Sequence, residues 1–142
     1  MRERIGMGLY HELRMRKMII VEDDTLLKDS LSLFFRSKGC EVSAFENAEN
    51  ALEAMETERF GVVIADQWLP GMDGVSLLNR AWEMESDAIR ILITGIPNPG
   101  ILDEANRSGV DDFILKPFTP DEIEASLWRL IRRRNTKAAD AP

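Results

Sequence analysis

Six side chains in this chain of 142 residues stand out for the chemistry their types allow: Glu22, Asp23, Asp24, Asp66, Thr94 and Lys116. Each sits at the end of a short apolar run, the runs being Met18–Val21, Val62–Ala65, Ile89–Ile93 and Phe113–Leu115. If those runs lie side by side as parallel strands, these carboxylates, a hydroxyl and an ammonium share one edge. Crowded carboxylates repel unless one is protonated or a cation binds. A hard divalent ion with oxygen ligands relieves the repulsion, and Mg²⁺ is the usual choice beside phosphate. Such an ion also neutralises charge on a phosphoryl group in transfer. Lys116 offers phosphate oxygens a second positive charge. Thr94 can donate a hydrogen bond, and Asp66 can act as a nucleophile that forms an aspartyl phosphate. Taken singly, each residue has a plainer reading. Asp24 equally well caps the helix that follows it, Asp66 can occupy a turn, and Lys116-Pro117 can form an ordinary loop. Their joint occurrence at the ends of four separate runs is what points to one site.

The elements that must position these residues alternate along the chain. With Val42–Phe45, the apolar runs number five, several rich in Val and Ile and bounded by Gly, Asp or Pro, as buried strands are. Helical patterns fill the gaps. Leu27, Leu31 and Phe34 or Phe35 make one apolar face, and Ala48, Ala51, Leu52 and Met55 a second, with Asn47 as its cap. Val75, Leu78, Ala81 and Trp82 make a third after Asp73. Residues 98–107 carry the weakest pattern, because Pro99 and Gly100 crowd its start. The last helix has Thr119 as N-cap, Pro120 at its first position and Glu122 to complete a capping box, with Phe118 and Ile123 placed for a hydrophobic staple. Ile123, Leu127, Leu130 and Ile131 form its buried stripe, and Arg132, Arg133 and Arg134 sit where the helix dipole favours cations. Strands joined by helical crossovers form a parallel sheet with helices on both faces. Ligands of such sheets bind at the carboxyl ends of the strands. The same ends carry the six residues.

Composition narrows the function classes. No apolar run approaches the roughly 20 residues that span a bilayer, and the N-terminus lacks the apolar stretch of a signal peptide. Cys40 is the only cysteine and His11 the only histidine, so neither an internal disulfide nor a zinc cluster forms. A reducing cytoplasm is the expected location. The net charge of −7 is uneven: residues 1–17 hold five basic and two acidic side chains, residues 129–142 five basic and one acidic, leaving −14 for the middle. That balance argues against a nucleic-acid-binding core and suits a bound cation. Residues 1–16 read as an N-terminal extension, partly ordered or foreign to the natural chain, with Met15 and Met18 as alternative starts. Residues 135–142 read as a flexible tail.

Four sequence blocks resemble the signatures of response-regulator receiver domains. They are Val21-Glu22-Asp23-Asp24, the stretch Asp66-Gln67-Trp68-Leu69-Pro70-Gly71-Met72-Asp73-Gly74, Thr94-Gly95, and Lys116-Pro117-Phe118. The resemblance runs from about Lys17 to Arg134, giving a receiver over residues 17–134. It implies an α/β, flavodoxin-like (βα)5 sandwich whose five-stranded parallel sheet has the order 2-1-3-4-5. It implies a switch rather than an enzyme, with Asp66 as phosphoacceptor and only intrinsic autophosphorylation and autodephosphorylation chemistry. Asp23 and Asp66 would hold Mg²⁺ (or Mn²⁺) directly, Glu22 through water, and Trp68 through its backbone carbonyl. Thr94 and Lys116 would contact the phosphoryl group, and the Lys116–Pro117 bond would be cis. Phe113 would be the switch aromatic that turns inward as Thr94 moves. The face made by the fourth helix, fifth strand and fifth helix of the repeat would be the output surface. Implied partners are a sensor histidine kinase or phosphotransfer protein, read by the first helix around Leu26–Arg36, and a downstream protein. A homodimer on phosphorylation is a family expectation. Neither nucleic-acid binding by this domain nor membrane insertion is implied.

Some positions depart from the family's commonest pattern. Gly95 stands for a frequent alanine and would loosen its loop. Phe113 lacks the hydroxyl of the common tyrosine. Trp68 and Ile96 lie two residues beyond Asp66 and Thr94, where the family tunes water access. Both are bulky and apolar, so they either shield the acyl phosphate and slow its loss or, in the case of Trp68, meet a partner. Two competing classes fit the residues less well. A metal-dependent phosphatase of the aspartyl-phosphate type carries a second aspartate where this chain has Trp68. A degenerate receiver acting as a binding module typically lacks the acceptor, an acid of the pair or the lysine, and Asp66, Asp23 and Lys116 are all present. No Gly-rich loop follows the first run to cradle a nucleotide phosphate.

Overall fold

The computed structural model describes residues 2–140, with side chains described for residues 6–137. Five strands form one parallel sheet in the order β2-β1-β3-β4-β5. They are β1 (Met18–Val21), β2 (Val42–Phe45), β3 (Val62–Asp66), β4 (Ile89–Thr94) and β5 (Asp112–Leu115). β1, β3 and β4 are buried along their whole lengths, whereas β2 and β5 at the edges are mostly half-exposed. Continuous apolar runs suit the central strands because helices cover both faces of a parallel sheet.

The helices are α1 (Arg2–Leu13), α2 (Thr25–Ser37), α3 (Ala48–Thr57), α4 (Gly74–Met84), α5 (Pro99–Arg107) and α6 (Pro120–Asp140). Strand periodicity divides the core in two. Met18, Ile20, Val62, Ile64, Ile89 and Ile91 face α1, α2 and α6. Ile19, Val21, Val63, Ala65 and Leu92 face α3, α4 and α5. Each fully buried Leu or Ile contributes roughly 2 kcal/mol of transfer free energy, so these layers dominate the fold's stability. Short polar side chains start four of the helices. Asp24, Asn47, Asp73 and Asn98 accept from the backbone N–H of Leu27, Asn50, Ser76 and Ile101 at 3.2, 2.8, 2.9 and 2.8 Å. Each satisfies a donor that the first helical turn leaves unpaired.

Both ends of the chain carry helix. Most of residues 1–16 form α1, which lays Leu9, Tyr10 and Leu13 into the core shared with Leu127, Leu130 and Ile131 of α6. Leu9 and Leu13 are four residues apart and so lie on one helical face. The charged residues around them hide that stripe in the sequence. A Cβ at Gly8 would stand 2.7 Å from the Trp128 ring, so glycine is what lets the two helices approach. At the other end, α6 continues to Asp140. Lys137, Ala138 and Ala139 favour helix, and an existing helix propagates at little cost. Residue 1 of the expected extension and residues 141–142 of the expected tail lie outside the described residues.

Candidate functional site

Strand register decides which side chains meet. Val21 pairs with Ala65, Asp66 with Ile93, and Thr94 with Leu115. The residue after β1, Glu22, is therefore level with Asp66. Lys116 emerges one step beyond Thr94 on the neighbouring strand. Carboxylate oxygens of Glu22, Asp23 and Asp66 lie within 4.8 Å of one another. Lys116 Nζ donates to Glu22 Oε1 and to Asp66 Oδ2, both at 2.9 Å. The Lys116–Pro117 peptide bond is cis, as the family resemblance implies.

Burial sets the electrostatics. Glu22 and Asp66 are buried while Asp23 is exposed. Burial pushes the Glu22 carboxyl up to about 8, the neighbouring Asp66 adds to this, and Lys116 only partly offsets it. For Lys116, burial alone would lower the ammonium's pKa. The Glu22 and Asp66 carboxylates outweigh that and hold it above the ordinary lysine range. Two buried acids beside one ammonium and an exposed third acid make a pocket with a charge deficit that a cation would fill.

The remaining expected residues fall around this cluster. Thr94 is fully buried at the end of β4, and its Oγ1 accepts from the Ile96 N–H at 3.2 Å. Trp68 and Ile96, two residues beyond Asp66 and Thr94, have exposed side chains, 48% and 66% accessible. Trp68 N–H points toward Asp66 Oδ1 at a long 3.4 Å. Phe113 stands apart, half-buried on β5 and packed on the α3–α4–α5 side of the sheet. Asp24 caps α2, the plainer of its two readings. Gly95 is not demanded by crowding, because a Cβ there would meet Lys116 Cβ at an ordinary 3.6 Å.

Sequence reasoning passed over Gln67, which is 2% exposed although polar. Its signal was a polar amide directly after a strand that is otherwise apolar up to Asp66. Gly74 belongs to the same locality. A Cβ there would come within 2.3 Å of the Asp66 carbonyl oxygen, so α4 starts in direct contact with the backbone of the site.

Comparison with known proteins places this geometry. The family model described as the response regulator receiver domain matches residues 18–127. The transcriptional regulatory protein FixJ of Bradyrhizobium diazoefficiens is 33% identical over 119 residues, which cover 84% of this chain and 58% of that protein. The C4-dicarboxylate transport transcriptional regulatory protein DctD of Rhizobium meliloti is 32% identical over 117 residues, 82% of this chain and 25% of that protein. The chain thus spans between a quarter and three-fifths of the length of these two relatives. Among solved structures, a CheY-like receiver domain protein from Methanospirillum hungatei JF-1 aligns with a TM-score of 0.81 at 26% identity, over 86% of this chain and 98% of that one. The BeF3-activated DrrB receiver domain aligns with a TM-score of 0.74 at 26% identity, over 82% and 97% of the two chains.

Proposed function

The chain belongs to the response regulator receiver domain family, and from that membership we propose that it is a phosphorylation-dependent signalling switch with Asp66 as acceptor. The observation that carries the proposal is the contact of Lys116 Nζ with both Glu22 and Asp66, beside Asp23. In the transfer step an Asp66 oxygen forms a bond to the phosphorus of a phosphohistidine. The phosphorus–nitrogen bond breaks, and the imidazole leaves with the electron pair and takes up a proton. The donor is a histidine kinase or a histidine phosphotransfer protein.

The donor set at the site fits a hard divalent cation, because it consists of clustered carboxylate oxygens with no nitrogen or sulfur ligand. Asp23 and Asp66 would hold Mg²⁺ (Mn²⁺ being the alternative), Glu22 through water and Trp68 through its carbonyl. When bound, the ion supplies charge compensation for the phosphoryl oxygens. The other steps belong to the chain itself. Lys116 exchanges its carboxylate partners for a phosphoryl oxygen. Thr94, whose Oγ1 now accepts from Ile96, turns its hydroxyl proton toward the same group. Phe113 follows Thr94 through packing alone, since it has no hydroxyl.

That movement would alter the α5–β5–α6 face, where a downstream protein or a second copy docks. No feature of the site favours a degenerate binding module, because acceptor, acid pair and lysine are present and in contact. Receivers are signalling proteins rather than classical enzymes, and a cytoplasmic location accords with the family. Among the described residues no helix is long and apolar enough to cross a membrane.

The test is incubation with Mg²⁺ and acetyl phosphate, followed by intact mass. One added phosphoryl group, absent in Asp66→Asn, is expected. No gain in a folded, Mg²⁺-binding protein would count against the switch. Trp68 and Ile96 lie two residues beyond Asp66 and Thr94, and folding over the acyl phosphate would exclude water. The phosphorylated form should therefore survive for minutes or longer, and a half-life of seconds would remove that role.

A further inference from the structure

We propose that Gln67, assisted by Glu49, is a positioning residue that sets the β3–α4 loop for divalent-cation binding. The inference rests on the receiver reading above. The loop from Gln67 to Asp73 must place two atoms at once. One is the Asp66 carboxylate at its start, the other the Trp68 carbonyl that would complete the cation's oxygen shell. Beyond the long Trp68 N–H contact to Asp66, the loop is set by ties farther along it.

Gln67 makes those contacts from both its backbone and its side chain. Its N–H donates to the Ile93 carbonyl at 2.8 Å, extending the sheet one residue past Asp66. Its carbonyl accepts from Gly74 N–H at 3.0 Å, which closes the loop. Its side-chain Oε1 accepts from Val75 N–H at 3.0 Å, and its Nε2 donates to Asp73 Oδ2 at 3.2 Å. The other oxygen of Asp73 accepts from Ser76 N–H at 2.9 Å. The first three amides of α4 are therefore all satisfied, two by Gln67 and one by Asp73. A helix start normally leaves such donors to a local cap or to water. Here one buried amide ties the end of β3 to the start of α4 and spans the loop between.

A second tie comes from a different element. Glu49 of α3 accepts from Met72 N–H through Oε1 at 2.9 Å. Gly71 adopts φ +77, and a Cβ there would lie 2.9 Å from the same carboxylate oxygen. Glu49 thus seats closely on the glycine turn. The loop is held from inside by Gln67 and from outside by Glu49, with Trp68 between its two anchors.

The expected consequence is separable from the chemistry. Removing either tie should weaken cation affinity and leave the phosphorylation rate at saturating cation near that of the parent protein. The measurement is titration calorimetry with Mg²⁺ on the unphosphorylated protein, alongside acetyl phosphate labelling across Mg²⁺ concentrations. Gln67→Met keeps the volume but loses both side-chain hydrogen bonds. It should raise the Mg²⁺ Kd about tenfold, a change of about 1.4 kcal/mol. Gln67→Glu keeps the acceptor for Val75 and should fall between Met and the parent. Glu49→Ala lies on an exposed position, keeps the fold safe should Gln67→Met unfold, and should raise Kd about threefold. An unchanged Kd in folded Gln67→Met, or in Glu49→Ala if the former does not fold, overturns the inference and leaves the receiver reading standing. A reduced labelling rate that saturating Mg²⁺ does not restore also overturns it. Parent protein that binds no Mg²⁺ overturns both.

Discussion

α1 and α5 are both short helices outside the central layer, yet they are held in opposite ways. α1 buries Leu9 and Leu13 completely and Tyr10 almost so, against α6 and the sheet. Tyr10 also donates to Glu124 Oε2 at 2.6 Å, a bond that joins residues 114 apart. α5 buries only Ala105 among its described residues, with Ile101 partly covered. Its neighbour β5 leaves Leu115 half-exposed. At the end of α5 the chain is held by polar contacts: Arg90 Nη2 donates to the Gly109 carbonyl at 2.7 Å, and Arg90 Nε pairs with Asp111 Oδ2 at 4.0 Å. A helix that buries whole leucines cannot shift without emptying a cavity. A helix that buries one methyl group can. The difference assigns stability to the α1–α6 side and freedom to the α5–β5 side, the side that the switch reading requires to move.

Paired truncations test that contrast most directly. Leu13→Ala should cost about 3 kcal/mol of unfolding free energy, by lost transfer energy plus the cavity left behind. Ile101→Ala should cost less, about 1 to 2 kcal/mol, because its side chain is only partly covered. Chemical denaturation of both variants gives the comparison, and equal losses would break it.

A smaller effect comes from the polar tie. Tyr10→Phe removes the bond to Glu124 and should cost about 1 kcal/mol. Its pH dependence sharpens the assignment. Burial, followed by the hydrogen bond and charge of Glu124, raises the Tyr10 phenol above its ordinary value. The folded state thus keeps the phenolic proton more tightly than the unfolded chain, whose tyrosine titrates near 10. The stability from this group is whole below about pH 10 and falls as pH rises beyond it. Stability curves of the parent and Tyr10→Phe should converge between about pH 9.5 and 11. Parallel curves would show that the contact does not hold α1 in place.

Much of this architecture is legible residue by residue. The five strands are local apolar runs, and their observed limits differ from the runs by at most one residue, as at Asp66, Thr94 and Asp112. Asn47 and Asp73 announce helix starts because capping involves only the next three residues. Asn98 before Pro99 is the same signal, and it marks α5 although the apolar pattern there is weak. α1 is different. Its stripe of Leu9, Tyr10 and Leu13 has no meaning until α6 supplies the opposing surface, more than a hundred residues later.

The sequence by itself determined the alternation of strands and helices, the parallel sheet, and the residue types gathered at its carboxyl edge. These follow from periodicity, capping and the connectivity of crossover units, all of which act over short stretches of chain. Tertiary structure alone decided that Glu22 rather than Asp24 turns into the cluster, that Lys116 bridges Glu22 and Asp66, and that Gln67 ties β3 to α4. Those outcomes depend on register between strands and on burial. Hydrogen bonds form where distant segments come level, and a carboxyl is pushed up only where the fold removes its water.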